Sequence, residues 1–116
     1  MKLLILGSNG LLGNTLTKYF FEKSNYETYG FLKDSSKLKF FKKKYINRLI
    51  IIQNILNTTD LRRNIKALMP DVIINCIGQT NKIRGKNLDN IENYININSL
   101  FPFRLKEICE EIQSRL

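Results

Sequence analysis

Short apolar runs alternate along this chain with stretches whose apolar residues recur every three or four positions. Residues 2–6, Lys-Leu-Leu-Ile-Leu, form the first run and read as a buried strand. After a glycine-rich turn, Leu12, Leu16, Tyr19 and Phe20 recur at helical spacing and predict a helix with those side chains on its apolar face. Residues 26–32 predict a second strand, ended by the polar break Lys33-Asp-Ser-Ser-Lys37. Leu38 to Arg48 predicts a short, lysine-bearing helix. Residues 49–53, Leu-Ile-Ile-Ile-Gln, predict a third strand that is apolar on both faces, the pattern of a strand covered by helices on two sides. Asn57-Thr-Thr-Asp60 is a helix-start signal; Leu61, Ile65 and Leu68 mark that helix's buried face, and Pro70 stops it. Residues 71–76, Asp-Val-Ile-Ile-Asn-Cys, predict a fourth strand, and Gly78 to Asn87 reads as a loop. From Leu88 to Leu116 the pattern is helical, with Phe101, Leu105, Ile108 and Ile112 at helical spacing.

Strand and helix therefore alternate four times, which predicts an α/β fold: a doubly wound parallel sheet of about four strands with helices on both faces. The 116 residues give room for one domain, 1–116, with no internal linker or low-complexity tract. At 43% apolar and 25% charged residues, the composition is that of a folded globular chain. The absence of histidine excludes Ser-His-Asp and Cys-His catalysis within these residues. Cys76 and Cys109 are too few for a zinc site, and a reduced, cytoplasmic protein is the expectation. No apolar run approaches the ~18–20 residues a bilayer span needs, so no membrane partner is expected. The N-terminal apolar stretch is too short for a secretory signal. Nineteen Lys and Arg against ten Asp and Glu give +9. The chain is also crowded with Asn and Ile, so the charge reads as a compositional bias on a solvated surface. No binding motif accompanies it, and a nucleic-acid partner is not expected.

The turn after the first strand changes the picture most. Gly7-Ser-Asn-Gly-Leu-Leu-Gly13 spaces three glycines as G-x-x-G-x-x-G between a predicted strand and a predicted helix. A tight turn off a strand needs the backbone freedom of glycine. A missing side chain at Gly10 lets the backbone approach a pyrophosphate, and Gly13 allows close packing of helix on strand. The helix start then offers free N–H groups and positive dipole potential to an anion. The alternative is a plain flexible turn. The spacing differs from G-x-G-x-x-G, the usual nicotinamide fingerprint. At the end of the second strand, Lys33 is suited to a 2′-phosphate and Asp34 to a 2′-hydroxyl. The expected cofactor is NADP or NAD, with NADP favoured by Lys33.

Together with Asn54-Ile55, Asn75-Cys-Ile-Gly78 and Asn98, this turn resembles the extended short-chain dehydrogenase/reductases. Within them it is most similar to the dTDP-4-dehydrorhamnose reductases and related sugar-nucleotide reductases of dTDP-rhamnose and polysaccharide biosynthesis. The resemblance implies a Rossmann-like, NAD(P)-binding domain and covers only the N-terminal portion of such an enzyme. It implies that the backbone of Gly10, Leu11 and Leu12 holds the pyrophosphate, with Gly7, Asn9 and Gly13 also among the cofactor-binding residues. Asn54 and Ile55 stand where the family has Asp-Val or Asp-Leu beside the adenine; Asn keeps the acceptor and loses the charge. Cys76, Ile77 and Gly78 match the small-residue turn that lines the cofactor, although Ile77 is bulkier than usual. Cys76 also reads simply as a small buried hydrophobe. Asn98 matches a helix asparagine that supports a water relay to the catalytic lysine in that family. Independently, Pro102 lacks an N–H, so the carbonyl of Asn98 loses its helical partner.

The resembled enzymes reduce a keto-sugar with Ser or Thr, Tyr, and Lys four residues after the Tyr. In the family these lie beyond the fourth helix, on a fifth strand and the helix after it, so no catalytic residue is assigned here. Tyr19/Lys23 and Tyr29/Lys33 match the Tyr-x-x-x-Lys spacing by chance. The expectation is an oxidoreductase fragment that binds a dinucleotide and does not turn over alone. An exposed sheet edge and the apolar surface of the last helix would then await a complementary C-terminal polypeptide or a second copy in a homodimer. One alternative is a non-catalytic dinucleotide sensor. Another is a nucleic-acid binder using Lys37, Lys39, Lys42, Lys43, Lys44 and Arg48, with Phe40, Phe41 and Tyr45 interleaved. At that spacing the aromatics read instead as the buried face of a helix.

Overall fold

A computed structural model of the protein describes residues 1–79 and 88–116. Four parallel strands form one sheet: β1 (Lys2–Leu6), β2 (Glu27–Leu32), β3 (Leu49–Ile51) and β4 (Val72–Asn75), in the order β3-β2-β1-β4. The α-helices are α1 (Leu11–Phe21), α2 (Thr58–Leu68), α3 (Leu88–Ile95) and α4 (Phe101–Glu111). Residues 80–87, most of the loop expected over Gly78 to Asn87, lie outside the described residues.

Burial explains the order of the sheet. In β1, Leu3, Leu4, Ile5 and Leu6 are all buried, so this strand takes the centre. Side chains alternate between the two faces of a strand. Leu4 and Leu6 accordingly share one core with Phe31, Ile73, Leu61 and Ile65 of α2, and Phe101, Leu105 and Ile108 of α4. Phe21 of α1, Leu32, Phe41 and Leu49 form a separate core. Helices thus cover both faces, and the fold is the Rossmann-like, doubly wound α/β arrangement expected. Asn57 starts α2 by accepting the Asp60 N–H on its side-chain oxygen at 3.1 Å, as the Asn-Thr-Thr-Asp signal implied. Met69, in the left-handed conformation, closes α2 just before Pro70.

Three local expectations are corrected. The inward face of α1 is Gly13, Thr17 and Phe21, while Leu12 and Tyr19 are exposed. Gly13 and Thr17 are small because the start of the helix lies directly against the glycine turn, and Phe21 enters the core only at its far end. Residues 38–48 do not form one helix but belong to two 3-10 helices, Ser35–Phe40 and Lys43–Arg48, parted by extended backbone at Phe41 and Lys42. Lys39 and Lys43 would be four apart on a continuous helix, where like charges repel. The break also lets Phe41 turn into the core against Phe21.

The last expected helix is likewise not continuous. A π-helix, Asn96–Leu100, lies between α3 and α4, with the Phe101 N–H donating to the Asn96 carbonyl five residues back. This shift of register accommodates Pro102 inside a helical path. After Glu111 the chain turns through Gln113, whose φ is 56°, and returns to the sheet. The Ile73 N–H donates to the Arg115 carbonyl at 2.7 Å, and the Arg115 N–H to the Asp71 carbonyl at 3.0 Å. Arg115 thereby makes a parallel bridge to Val72 and covers part of the β4 edge expected to be bare. Among the described residues no helix is long and apolar enough to cross a membrane.

Candidate functional site

The turn from β1 to α1 is built around a contact between Gly7 and Gly13. Gly7 has φ 78°, in the left-handed region, and a Cβ there would meet Ile77 Cγ1 at 3.0 Å and the Cys76 carbonyl at 3.1 Å. The Gly10 N–H donates to the Gly7 carbonyl at 2.9 Å and closes the turn. A Cβ at Gly13 would lie 2.7 Å from the Gly7 carbonyl carbon and nearer still to its oxygen. Gly10 is different: its φ is −80°, it is exposed, and a Cβ would meet only the Gly7 oxygen, at 3.4 Å.

Beneath the turn lies a buried polar strut that the sequence reading missed. The Ser8 N–H donates to the Phe31 carbonyl at 3.0 Å. Ser8 Oγ donates to the Ile5 carbonyl at 3.0 Å and accepts from Thr17 Oγ1 at 2.8 Å. Gly30 on β2 leaves space for that hydroxyl, since a Cβ there would stand 2.5 Å from Ser8 Oγ. The strut fixes α1 to the sheet, so the direction of its first turn is set by buried contacts.

Gly10 caps α1 without a side chain, and no acidic residue stands in the first turn. The amides of Leu11, Leu12 and Gly13 therefore keep the positive end of the helix dipole uncancelled. The Leu11 and Leu12 side chains are exposed to solvent.

A cleft of about 310 Å³ opens at the carboxyl ends of the strands. Gly7, Asn9, Gly10, Lys33, Asn54, Ile55, Cys76, Ile77 and Gly78 all line it, brought together from four separate stretches of chain. Phe31, Leu32, Ile52, Gln53, Leu56, Asn93 and Ile97 line it too and were not anticipated. Phe31, Leu32, Ile52 and Gln53 could have been found from the rule that open parallel sheets bind ligands beyond their carboxyl ends. Leu11, Leu12, Gly13 and Asn98 do not line the cleft.

Charges around the cleft are unequal. Lys33 lines it, whereas the Asp34 carboxylate accepts the Ser36 N–H at 2.9 Å and also bonds the Ser36 hydroxyl. Those bonds, with Lys37 and Lys33 nearby, hold Asp34 below the usual carboxylate range. Burial pushes the Cys76 thiol up, which keeps it protonated at neutral pH. Asn54 Oδ1 accepts the Leu56 N–H at 3.1 Å, so the acceptor expected to face an adenine is engaged locally.

Asn98 acts through its side chain. Its Oδ1 accepts the Gln79 N–H and its Nδ2 donates to the Gln79 carbonyl, both at 2.9 Å. Asn93 Nδ2 adds a bond to Gln79 Oε1 at 3.2 Å. The chain just past β4 is thus clamped to the α3–π–α4 segment. Neither chance Tyr-x-x-x-Lys match reaches the cleft as a pair. The Lys23 ammonium sits 4.7 Å from the Tyr19 ring centroid, and the Tyr29 hydroxyl donates to Glu27 at 2.7 Å. That bond to Glu27 raises the Tyr29 hydroxyl above its ordinary value.

A family model for the NAD dependent epimerase/dehydratase family matches residues 3–116. The chain belongs to that family. Solved structures of similar fold include Pal from Bacillus thuringiensis, with a TM-score of 0.81 at 16% identity over 98% of this chain. UDP-glucuronic acid 4-epimerase from Bacillus cereus, in complex with UDP-glucuronic acid and NAD, gives 0.71 at 24% identity over 94%. dTDP-4-dehydrorhamnose reductase from Bacillus anthracis, in complex with NADP, gives 0.68 at 18% identity over 97%. This member of the family spans only 37%, 36% and 33% of those three chains. No curated protein matches it. An epimerase and a reductase stand side by side among these structures.

Proposed function

We propose that residues 1–116 form one NAD(P)-binding domain, the dinucleotide-holding portion of a sugar-nucleotide enzyme similar to the dTDP-4-dehydrorhamnose reductases. The observation that carries this reading is the uncapped start of α1, anchored by the Gly7–Gly13 contact, beside a cleft that Gly10 leaves open. A dinucleotide fits that donor set. Its diphosphate is an anion without donors of its own, and the amides of Leu11, Leu12 and Gly13 offer donors and positive potential. Gly10 presents no side chain to hold the phosphate away.

The adenosine half then lies toward Lys33, Asn54 and Ile55, and the nicotinamide half toward Cys76, Ile77 and Gly78. Lys33 is the charge on the cleft wall, while Asp34 is committed to Ser36, which supports NADP over NAD. When bound, the nicotinamide supplies hydride chemistry. This chain's residues bind and orient the cofactor, and the Asn98 clamp on Gln79 sets the wall beside it. No tyrosine lines the cleft among the described residues. The proton-donating residues of the reaction are assigned to a complementary C-terminal polypeptide.

Calorimetric titration with NADPH and NADH tests this reading. NADPH should bind more tightly, and Gly10→Asp should abolish binding without changing the fold. Absence of binding, or binding unaffected by Gly10→Asp, overturns it; tighter NADH binding overturns the role given to Lys33. Turnover of a dTDP-4-keto-sugar by residues 1–116 alone overturns the assignment of the chemistry elsewhere.

A further inference from the structure

A second cleft, of about 330 Å³, opens where α1 meets the two 3-10 helices, and it shares no lining residue with the first. Its floor is aromatic. The Phe21 and Tyr45 rings stack with centroids 4.5 Å apart, and Phe41 meets Phe21 edge-on at 6.1 Å. Phe40 stands on the rim, 51% exposed, in place of the buried position a helix would have given it. The Lys37 and Lys39 ammonium groups lie 5.6 and 5.3 Å from its ring centroid, and Lys44 lies 4.8 Å from that of Tyr45. Residues 33–48 carry seven Lys and Arg against one Asp, which is six of the chain's nine net positive charges.

We propose that this surface binds single-stranded nucleic acid. Unstacked bases would lie on Phe40 and in the cleft beside Tyr45, with phosphates held by Lys37, Lys39, Lys43 and Lys44. The Lys37 and Lys39 ammonium groups lie over the Phe40 ring on long flexible stems, and swinging to a phosphate would leave the ring face to a base. An acidic peptide would engage the lysines and leave Phe40 idle. A duplex keeps its bases stacked on each other and cannot use the rings. The surface is independent of the dinucleotide cleft, so this proposal does not stand or fall with the proposed function.

The test is fluorescence anisotropy of a labelled oligothymidylate of about twelve nucleotides with the full chain. Contact with four phosphates predicts a log–log salt slope of about −2.8, or about fifty-fold weaker binding at 200 than at 50 mM salt. Phe40→Ala should weaken binding at least about five-fold with the slope unchanged, because it removes stacking alone. Lys39→Gln and Lys43→Gln should each reduce the slope by somewhat under one unit. Saturating NADPH should leave the affinity unchanged. The proposal is overturned if Phe40→Ala binds like wild type, if a duplex binds equally well, or if NADPH displaces the oligonucleotide. Binding to phosphatidylserine vesicles without binding to the oligonucleotide overturns it as well.

Discussion

Alanine at Gly13 and alanine at Gly10 should have opposite fates, although both glycines belong to one seven-residue turn. At Gly13 the added carbon would sit 2.7 Å from the Gly7 carbonyl carbon, where ordinary contact begins near 3.4 Å. Both sides of the clash are backbone, so no rotamer can swing clear. Relief requires α1 to back away from the turn, which loosens the 2.8 Å bond between Thr17 and Ser8 in the buried strut. Overpacking of this kind costs about 1–3 kcal/mol, and a rigid contact belongs at the upper end. Alanine recovers up to about 1 kcal/mol of helix propensity. The net loss is about 2 kcal/mol, a fall in Tm of about 8 °C or more for a domain of this size. At Gly10 the backbone suits alanine, and the nearest atom is 3.4 Å away. A slightly poorer N-cap, at several tenths of a kcal/mol, is offset by about 0.4–1 kcal/mol from a less flexible unfolded chain. Gly10→Ala should therefore melt within about 2 °C of wild type. Thermal unfolding followed by circular dichroism reads both variants. Wild-type stability in Gly13→Ala would refute the packing argument. Equal losses in the two variants would refute the claim that Gly10 is free of structural duty.

Two further outcomes follow from the helical layer that carries the cleft wall. Glu111 accepts a bond from Lys66 at 2.7 Å and lies 3.3 Å from Arg62, joining α4 to α2. The Lys66 bond, with Arg62 nearby, holds its carboxyl below the ordinary range. A carboxylate with a depressed folded-state pKa stabilises the fold above its unfolded-state pKa, and that stability is lost as pH falls through the folded-state value. Glu111→Gln should lower Tm modestly at neutral pH, and the gap to wild type should close in acid; a gap independent of pH contradicts this. Asn98→Ala removes both bonds to the Gln79 backbone and should speed exchange of the Gln79 amide about ten-fold. Unchanged exchange would show that the clamp is not what holds this stretch.

The strands were legible because each is a short run rich in apolar or aromatic residues bounded by turn or helix-start signals, with β1 buried along nearly its whole length. Helix faces were less so. Leu12 and Tyr19 satisfy helical periodicity as well as Gly13 and Thr17 do, and only the contact between Gly13 and Gly7 decides which side meets the sheet. The buried hydroxyls of Ser8 and Thr17, and the space Gly30 leaves them, carry no periodic signal at all. The break at Phe41 and the π-turn before Pro102 each answer a local obstacle to a continuous helix: like charges at Lys39 and Lys43 in the first, a missing N–H in the second.

The candidate site was legible to the extent that it is backbone. Gly7, Gly10 and the start of α1 are marked by the glycine spacing alone. Gly7 is required by its φ, Gly13 by space, and Gly10 by neither. Gly10, standing open beside an uncapped helix end, is where the proposed diphosphate would approach the backbone. The parts of the site made by side chains depend on local bonds instead. Asp34 and Lys33 are neighbours in sequence, yet a serine two residues on withdraws the carboxylate from the cleft and leaves the ammonium there. The same logic separates the adjacent, identical Phe40 and Phe41: Phe40 ends a 3-10 helix as a surface ring, and Phe41, in extended backbone, turns into the core.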